Sequence, residues 1–202
     1  MKEKWNIWLP VILMVLLACT LWPGVMPYNF SAAYALAFCA GIYFPGKLRW
    51  ILPLSTLLIS DMVLNYFYYA VSPFHPYVLI KLVTFSALIF LGTRFTPRSS
   101  FPKLLSGGIA GALLFYLLTN TASWLYDPAY PKTFMGWVQA LTTGRPEFPH
   151  TWEFFRNTLL SGGLFTGLFV GSMKLSEAAE ESKEREESEN EEGAGEQEEA
   201  KA

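Results

Sequence analysis

The sequence predicts an all-α, polytopic membrane helix bundle. Of its 202 residues 52% are hydrophobic, and the mean hydropathy is +0.27 although the last stretch is almost wholly hydrophilic. Apolar runs near the ~20 residues that a spanning helix needs alternate with turn-forming stretches. The basic residues gather in every second connection, as a chain threaded through a bilayer requires. The formal net charge of -2 conceals this pattern, because Glu177 to Glu199 holds 12 of the 17 acidic side chains. Through Leu175 the body carries 12 basic residues against 5 acidic ones. That surplus is sorted by side of the membrane and forms no nucleic-acid patch.

The first predicted span covers residues 6-25 and follows Lys2 and Lys4. Leu16-Leu17-Ala18-Cys19 resembles a bacterial lipobox, but Leu21-Trp22-Pro23-Gly24-Val25 stays apolar after it, where a lipoprotein would leave on a polar linker. A retained helix accounts for both halves of the segment. Residues 30-44 form a short second span with aromatic ends, and Ala33, Ala37 and Gly41 lie on one face of it. A stripe of small residues lets another backbone approach closely, so this face is a packing or docking candidate. The third span, 50-69, follows Lys47 and Arg49 and carries Ser60, Asp61 and Asn65. Ser72-Pro73-Phe74-His75-Pro76 is a turn, in which His75 reads as a loop histidine rather than a metal ligand.

The fourth span, 77-92, includes Lys81. Arg94, Arg98 and Lys103 precede the fifth, 104-126, where Gly107 and Gly111 make a GxxxG. Residues 127-151 hold four prolines and cannot span. Within them Phe134, Trp137, Val138 and Leu141 fall at i, i+3, i+4 and i+7, which predicts a short amphipathic helix on the membrane surface. The sixth span, 152-173, carries Gly163, Gly167 and Gly171 as a further small-residue stripe. Residues 176-202 are too polar to bury a core and read as an acidic tail, disordered or transiently helical. The positive-inside rule then places both termini in the cytoplasm and the 127-151 loop outside.

Depth follows from the ~1.5 Å rise per helical residue. Asp61 falls near the midplane. Asn65, Lys81, Asn120, Ser123, Arg156 and Asn157 fall in the outer half, with Trp124 at interfacial depth and Asn29 and Ser31 at the outer end of the second helix. Ionisable groups at such depth are costly unless they face a partner or a wet cavity, so they are candidates for a ligand site roofed by the outer loop. A second reading stands beside this one. Asp61 and Lys81 form a structural ion pair, Asn29 and Asn120 bond between helices, and Arg156 snorkels to the surface. Catalysis has little support, since HExxH, GxSxG and P-loop motifs are lacking and Asp61 is the lone aspartate within a span. Cys19 and Cys39 lack metal-ligand or redox spacing. The expectation is therefore a protein that is no enzyme and carries no metal or cofactor.

Several runs together carry a resemblance. They are Asn29-Phe30-Ser31-Ala32-Ala33, Pro53 with Ser60-Asp61, Leu118-Thr119-Asn120-Thr121-Ala122-Ser123-Trp124, Tyr130-Pro131-Lys132-Thr133 and Phe155-Arg156-Asn157-Thr158-Leu159. Over most of Asn29 to Met173 the chain resembles a bacterial six-helix integral membrane protein family of unknown function. It departs at Ala32, where that family usually has proline, and at Gly162-Gly163, where an acidic residue tends to follow. The family is in turn similar in helix count and size to the substrate-binding S components of energy-coupling factor transporters. The resemblance implies a bacterial inner-membrane protein that binds a vitamin-like small molecule in an outward pocket and docks on a shared transmembrane transporter subunit. A non-transporting scaffold, assembled through the small-residue faces and the acidic tail, is the alternative.

Overall fold

The computed structural model describes residues 8–73 and 77–199, with the side chains of Leu17 and of residues 189–199 left out. His75 and the basic residues Lys2 and Lys4 lie outside the described residues. The described chain is all-α. Its helices are α1 (Trp8–Ala18), α2 (Ala33–Tyr43), α3 (Leu48–Phe67), α4 (Tyr77–Gly92), α5 (Phe101–Tyr126), α6 (Phe134–Leu141) and α7 (Thr151–Glu199). Of these, α3, α5 and the apolar part of α7 are long and apolar enough to cross a membrane, the mark of a multi-pass membrane protein. Large apolar side chains stay exposed along them, among them Ile51, Ile59, Val63, Leu113, Leu117, Leu160, Leu164 and Leu168. A water-facing surface rarely shows so much continuous apolar area.

The other apolar helices are shorter. The α1 helix runs on through a 3-10 turn, Cys19–Leu21, and stops there, so the expected span loses its last four residues. Pro23 and Gly24 are the reason, Gly24 having a φ of +84°. Residues 22–32 become a connector instead of the end of one span and the start of the next. The helix that follows, α2, has 11 residues and is ~16 Å long, about half the ~30 Å apolar thickness of a bilayer. Every one of its residues is buried. A helix apolar all round belongs in the middle of a bundle, and α2 is enclosed by α1, α3, α4, α5 and α7.

Close backbone approach at Gly41 and Gly92 seats α2 against α4. A Cβ on Gly41 would lie 2.2 Å from the Ile89 carbonyl oxygen, and one on Gly92 would lie 2.1 Å from that of Phe38. The Ala33/Ala37/Gly41 face is thus filled within the chain, with all three residues buried, and cannot receive a second subunit. Gly107 and Gly111 likewise face inward, against Phe38, Phe95 and Leu88. The α5–α7 contact is made by different glycines. Gly108 sits on Thr166, and Gly162 sits on Ala112, whose Cβ would be 2.4 Å from an added methyl. Gly163, Gly167 and Gly171 are half-buried, and an added Cβ would meet only ordinary contacts with Ile109, Leu105 and Phe101.

The short α6 lies over the C-terminal end of α5 and the N-terminal end of α7. Thr133 caps it, its Oγ1 accepting from the Gly136 N–H at 3.2 Å. The face turned to the bundle is that of Gly136 and Ala140, with Trp137 half-buried and donating through Nε1 to Thr121 Oγ1 at 2.9 Å. Phe134, the first member of the expected apolar stripe, is 71% exposed. Gly136 also lies so close to Pro131, in the turn leading into α6, that a Cβ would overlap its carbonyl oxygen.

The acidic segment continues α7 as one helix to Glu199. A helix already seeded by the bundle avoids the cost of nucleation, and Ala, Glu, Lys and Arg propagate it well. Like charges four apart, as at Glu177/Glu181 and Glu180/Glu184, work against it.

Candidate functional site

A cavity of about 670 Å³ opens between α3 and α4 and is closed over by the connector that follows α1. One wall comes from the third helix, with Leu57, Ser60, Asp61 and Leu64, and another from Val78, Lys81, Leu82 and Phe85 of α4. Tyr34 of α2 and Phe115 of α5 form the floor, with ring centroids 4.5 Å apart. Trp22 to Ser31 supplies the cover. Tyr68 and Tyr69, just beyond α3, complete the rim.

The connector holds its shape through contacts outside itself. Tyr34 donates its hydroxyl to the Asn29 carbonyl at 3.0 Å, and Asn157 of α7 donates through Nδ2 to the Tyr28 carbonyl at 3.0 Å. Phe30 packs edge-on against Phe165 at 5.9 Å. Asn29 itself has a φ of +56°, a left-handed conformation that asparagine tolerates better than most residues. Ser31 caps the approach to α2, its Oγ accepting from the Ala33 N–H at 3.1 Å.

Asp61 and Lys81 meet in the cavity wall. Lys81 Nζ donates to Asp61 Oδ1, and Asn65, one turn further along α3, donates through Nδ2 to Asp61 Oδ2 at 3.4 Å. The side chains of Lys81 and Asp61 are 37% and 15% exposed, so the pair is neither sealed between helices nor open to bulk solvent. Five of the expected site residues therefore converge here: Asn29, Ser31, Asp61 and Lys81 line the cavity, and Asn65 supports Asp61 from behind.

Three others lie elsewhere. Asn120 donates to the Tyr116 carbonyl of its own helix at 2.8 Å, Trp124 donates through Nε1 to the Pro131 carbonyl at 2.9 Å, and the exposed Arg156 lies 5.7 Å from the Trp152 ring centroid. None of the three lines the cavity. The 127–151 loop, expected to roof the polar cluster, packs over α5 and α7 instead. Sequence reasoning missed Trp22 to Tyr28 of the cover, Tyr34 and the Tyr68-Tyr69 rim. The tyrosine pair at the end of an apolar run was the available signal, hidden because aromatic residues at that depth are ordinary.

The 127–151 loop is held by charge at the end of α5. Lys132 Nζ donates to the Trp124 and Asp127 carbonyls, at 2.5 and 2.6 Å, where the helix leaves acceptors unpaired and its dipole favours a cation. Asp127 accepts from the Ala129 N–H at 2.9 Å and from Arg145 Nη1 at 3.0 Å. The Ala129 bond, followed by Arg145, holds the Asp127 carboxyl below the usual carboxylate range. A depressed folded-state value gives stability that is fully present above the unfolded value near ~3.9 and is lost as pH falls through the folded one. Hydrogen exchange of residues 127–145, taken relative to the intrinsic rate at each pH, is thus expected to be slow at pH 6 and to quicken below about pH 4. In Arg145→Gln it should already be faster at pH 6, and equal exchange in the two proteins would contradict this account.

No curated protein and no solved structure compared with the chain matches it. A family match spans residues 1–184, taking in the first helix and the start of the acidic segment, both of which fall outside the resemblance read from the sequence. The chain belongs to the family described as a family of unknown function, DUF6580.

Proposed function

We propose that this chain is a membrane-embedded binding protein that holds a small solute in the cavity between α3 and α4. The observation that carries the reading is that the Asp61–Lys81 pair, which joins α3 to α4, stands in the wall of a 670 Å³ cavity rather than sealed between the helices. Ligand pockets fall in this size range and combine mostly apolar walls with a few convergent polar groups. An intramembrane ion pair is retained where a pathway or ligand uses it.

In this reading the apolar helices cross the bacterial inner membrane six times, with both termini cytoplasmic and the cavity toward the outer side. The charge pattern of the short loops supports that orientation. The chain acts without chemistry of its own, as the substrate-specificity subunit of an uptake transporter similar to the S components. A shared transmembrane subunit would dock on the half-buried Gly163/Gly167/Gly171 face of α7, beside the exposed Leu160, Leu164 and Leu168, since the α2 face is filled.

The test uses Leu64→Trp, which fills the cavity from α3, and the lipid-facing Leu164→Trp as control. The small-molecule fraction of a host-cell extract should raise the melting midpoint of the wild type and of Leu164→Trp, and leave that of Leu64→Trp unmoved. An equal rise in all three would place binding elsewhere.

The continuous α7 favours a second reading, a scaffold whose acidic helix end meets a basic cytoplasmic partner. Truncation after Leu175 separates the two. Solute binding is expected to stay within about twofold of the full chain, because every cavity-lining residue lies before it. A truncation that keeps binding yet abolishes the cellular phenotype would favour the scaffold.

A further inference from the structure

The cavity brings one fixed anion and one fixed cation to its wall, and among the described residues neither finds its hydrogen-bonding capacity filled. Lys81 has three N–H donors, of which Asp61 receives one. Asp61 offers about four acceptor positions over its two oxygens, and Lys81 and Asn65 take two. The formal charge of the pair is zero. A solute with a single charge would bring an unbalanced charge into a cavity walled by Leu57, Leu64, Phe85 and Phe115, where the loss of hydration is poorly repaid. A wholly uncharged solute would meet the spare valences of both ions with hydrogen bonds alone and add no charge pairing.

A solute with its own ammonium and its own anionic group meets both demands. Its anion lies against Lys81, its ammonium against Asp61, and the four charges alternate in sign. The two protein charges touch, so the two ligand charges must also be close, joined by a linker of one to a few atoms. We infer that the cavity selects a compact zwitterion with an apolar or aromatic body, the class to which α-amino acids and zwitterionic lipid headgroups both belong. This rests on the solute-binding reading proposed above, and names the solute's charge class.

The test offers the purified full-length chain, in nanodiscs of phosphatidylglycerol, an equimolar mixture of amino acids, the amines made by removing their carboxylates and the acids made by removing their amino groups. Bound compounds are recovered after rapid filtration and read by mass spectrometry. The wild type is expected to retain one or more zwitterions at least about tenfold over the matching amine and acid, since each of those leaves one buried charge unbalanced. Asp61→Asn should turn the preference toward acids and Lys81→Gln toward amines, with circular dichroism unchanged.

Replacing half the lipid by phosphatidylethanolamine distinguishes the source. If amino-acid retention then falls, the headgroup is the occupant and the zwitterion assignment stands. Enrichment of an amine or an acid by the wild type overturns the assignment while leaving solute binding intact. Retention of nothing in either lipid also overturns it, and the melting shift with cell extract decides separately whether the cavity binds a solute.

Discussion

Gly41→Ala is expected to be among the most damaging single methyls added to this protein. The added carbon would lie 2.2 Å from the Ile89 carbonyl oxygen and 2.9 Å from the Gly92 Cα, both backbone atoms that cannot rotate away. Relief requires α2 and α4 to separate, and the separation opens contacts along Ala37, Phe38, Leu88 and Ile89, all fully buried. Overpacking typically costs ~1–3 kcal/mol, and a backbone-to-backbone clash at the centre of the bundle belongs at or above the upper end. We expect a fall in the melting midpoint large enough for the variant to aggregate on extraction. Gly163→Ala should remain near wild type, because its methyl would meet only Ile109 side-chain atoms at 3.5 and 3.7 Å. Similar melting of the two variants would contradict the packing described.

The second large effect concerns the ion pair, where stability and binding are expected to part company. Lys81→Met leaves Asp61 without its cation in a half-buried position. Removing one partner of a fully buried pair costs ~3–5 kcal/mol, and partial exposure lowers the expectation here to about 1–3 kcal/mol. Asp61→Leu combined with Lys81→Met removes both charges and should recover most of that loss, since packed apolar groups replace buried ion pairs at little cost. The double variant should nonetheless bind no solute, at least about tenfold weaker than the wild type. Recovery of binding along with stability would make the pair structural only. The comparison is read by thermal melting and by solute retention on the same preparations.

The sequence made some of this legible and left other parts hidden for physical reasons. Depth arithmetic puts Asp61 of α3 near the midplane and Lys81 of α4 in the outer half, within reach of each other along the lysine stem, because a helix fixes rise per residue and a bilayer fixes orientation. The same arithmetic misplaces Asn120, which reaches the right depth but spends its amide on the Tyr116 carbonyl one turn away. Depth is one coordinate, and rotation about the helix axis needs the neighbours. Ala33, Ala37 and Gly41 announce a close helix approach, yet nothing in their spacing says that Gly92, 51 positions later, is the partner. Hydrophobicity also says where apolar residues lie, not where the helix stops. Trp22 to Ala32 reads as the end of one span, a short turn at Pro27-Tyr28-Asn29 and the start of the next, and Pro23 with Gly24 turns it into the cover of the cavity.

The acidic segment shows the reverse case. Composition argues against a buried core there, and the chain keeps its helix without one because α7 has already formed.

The claim that the cavity holds a solute is tested most directly by native mass spectrometry of the full chain, purified in mild detergent without added ligand. The account predicts a discrete mass increment on the folded wild type, lost on denaturation and missing from Leu64→Trp. A folded wild-type chain with the mass of protein alone, or an increment unchanged in Leu64→Trp, would contradict it.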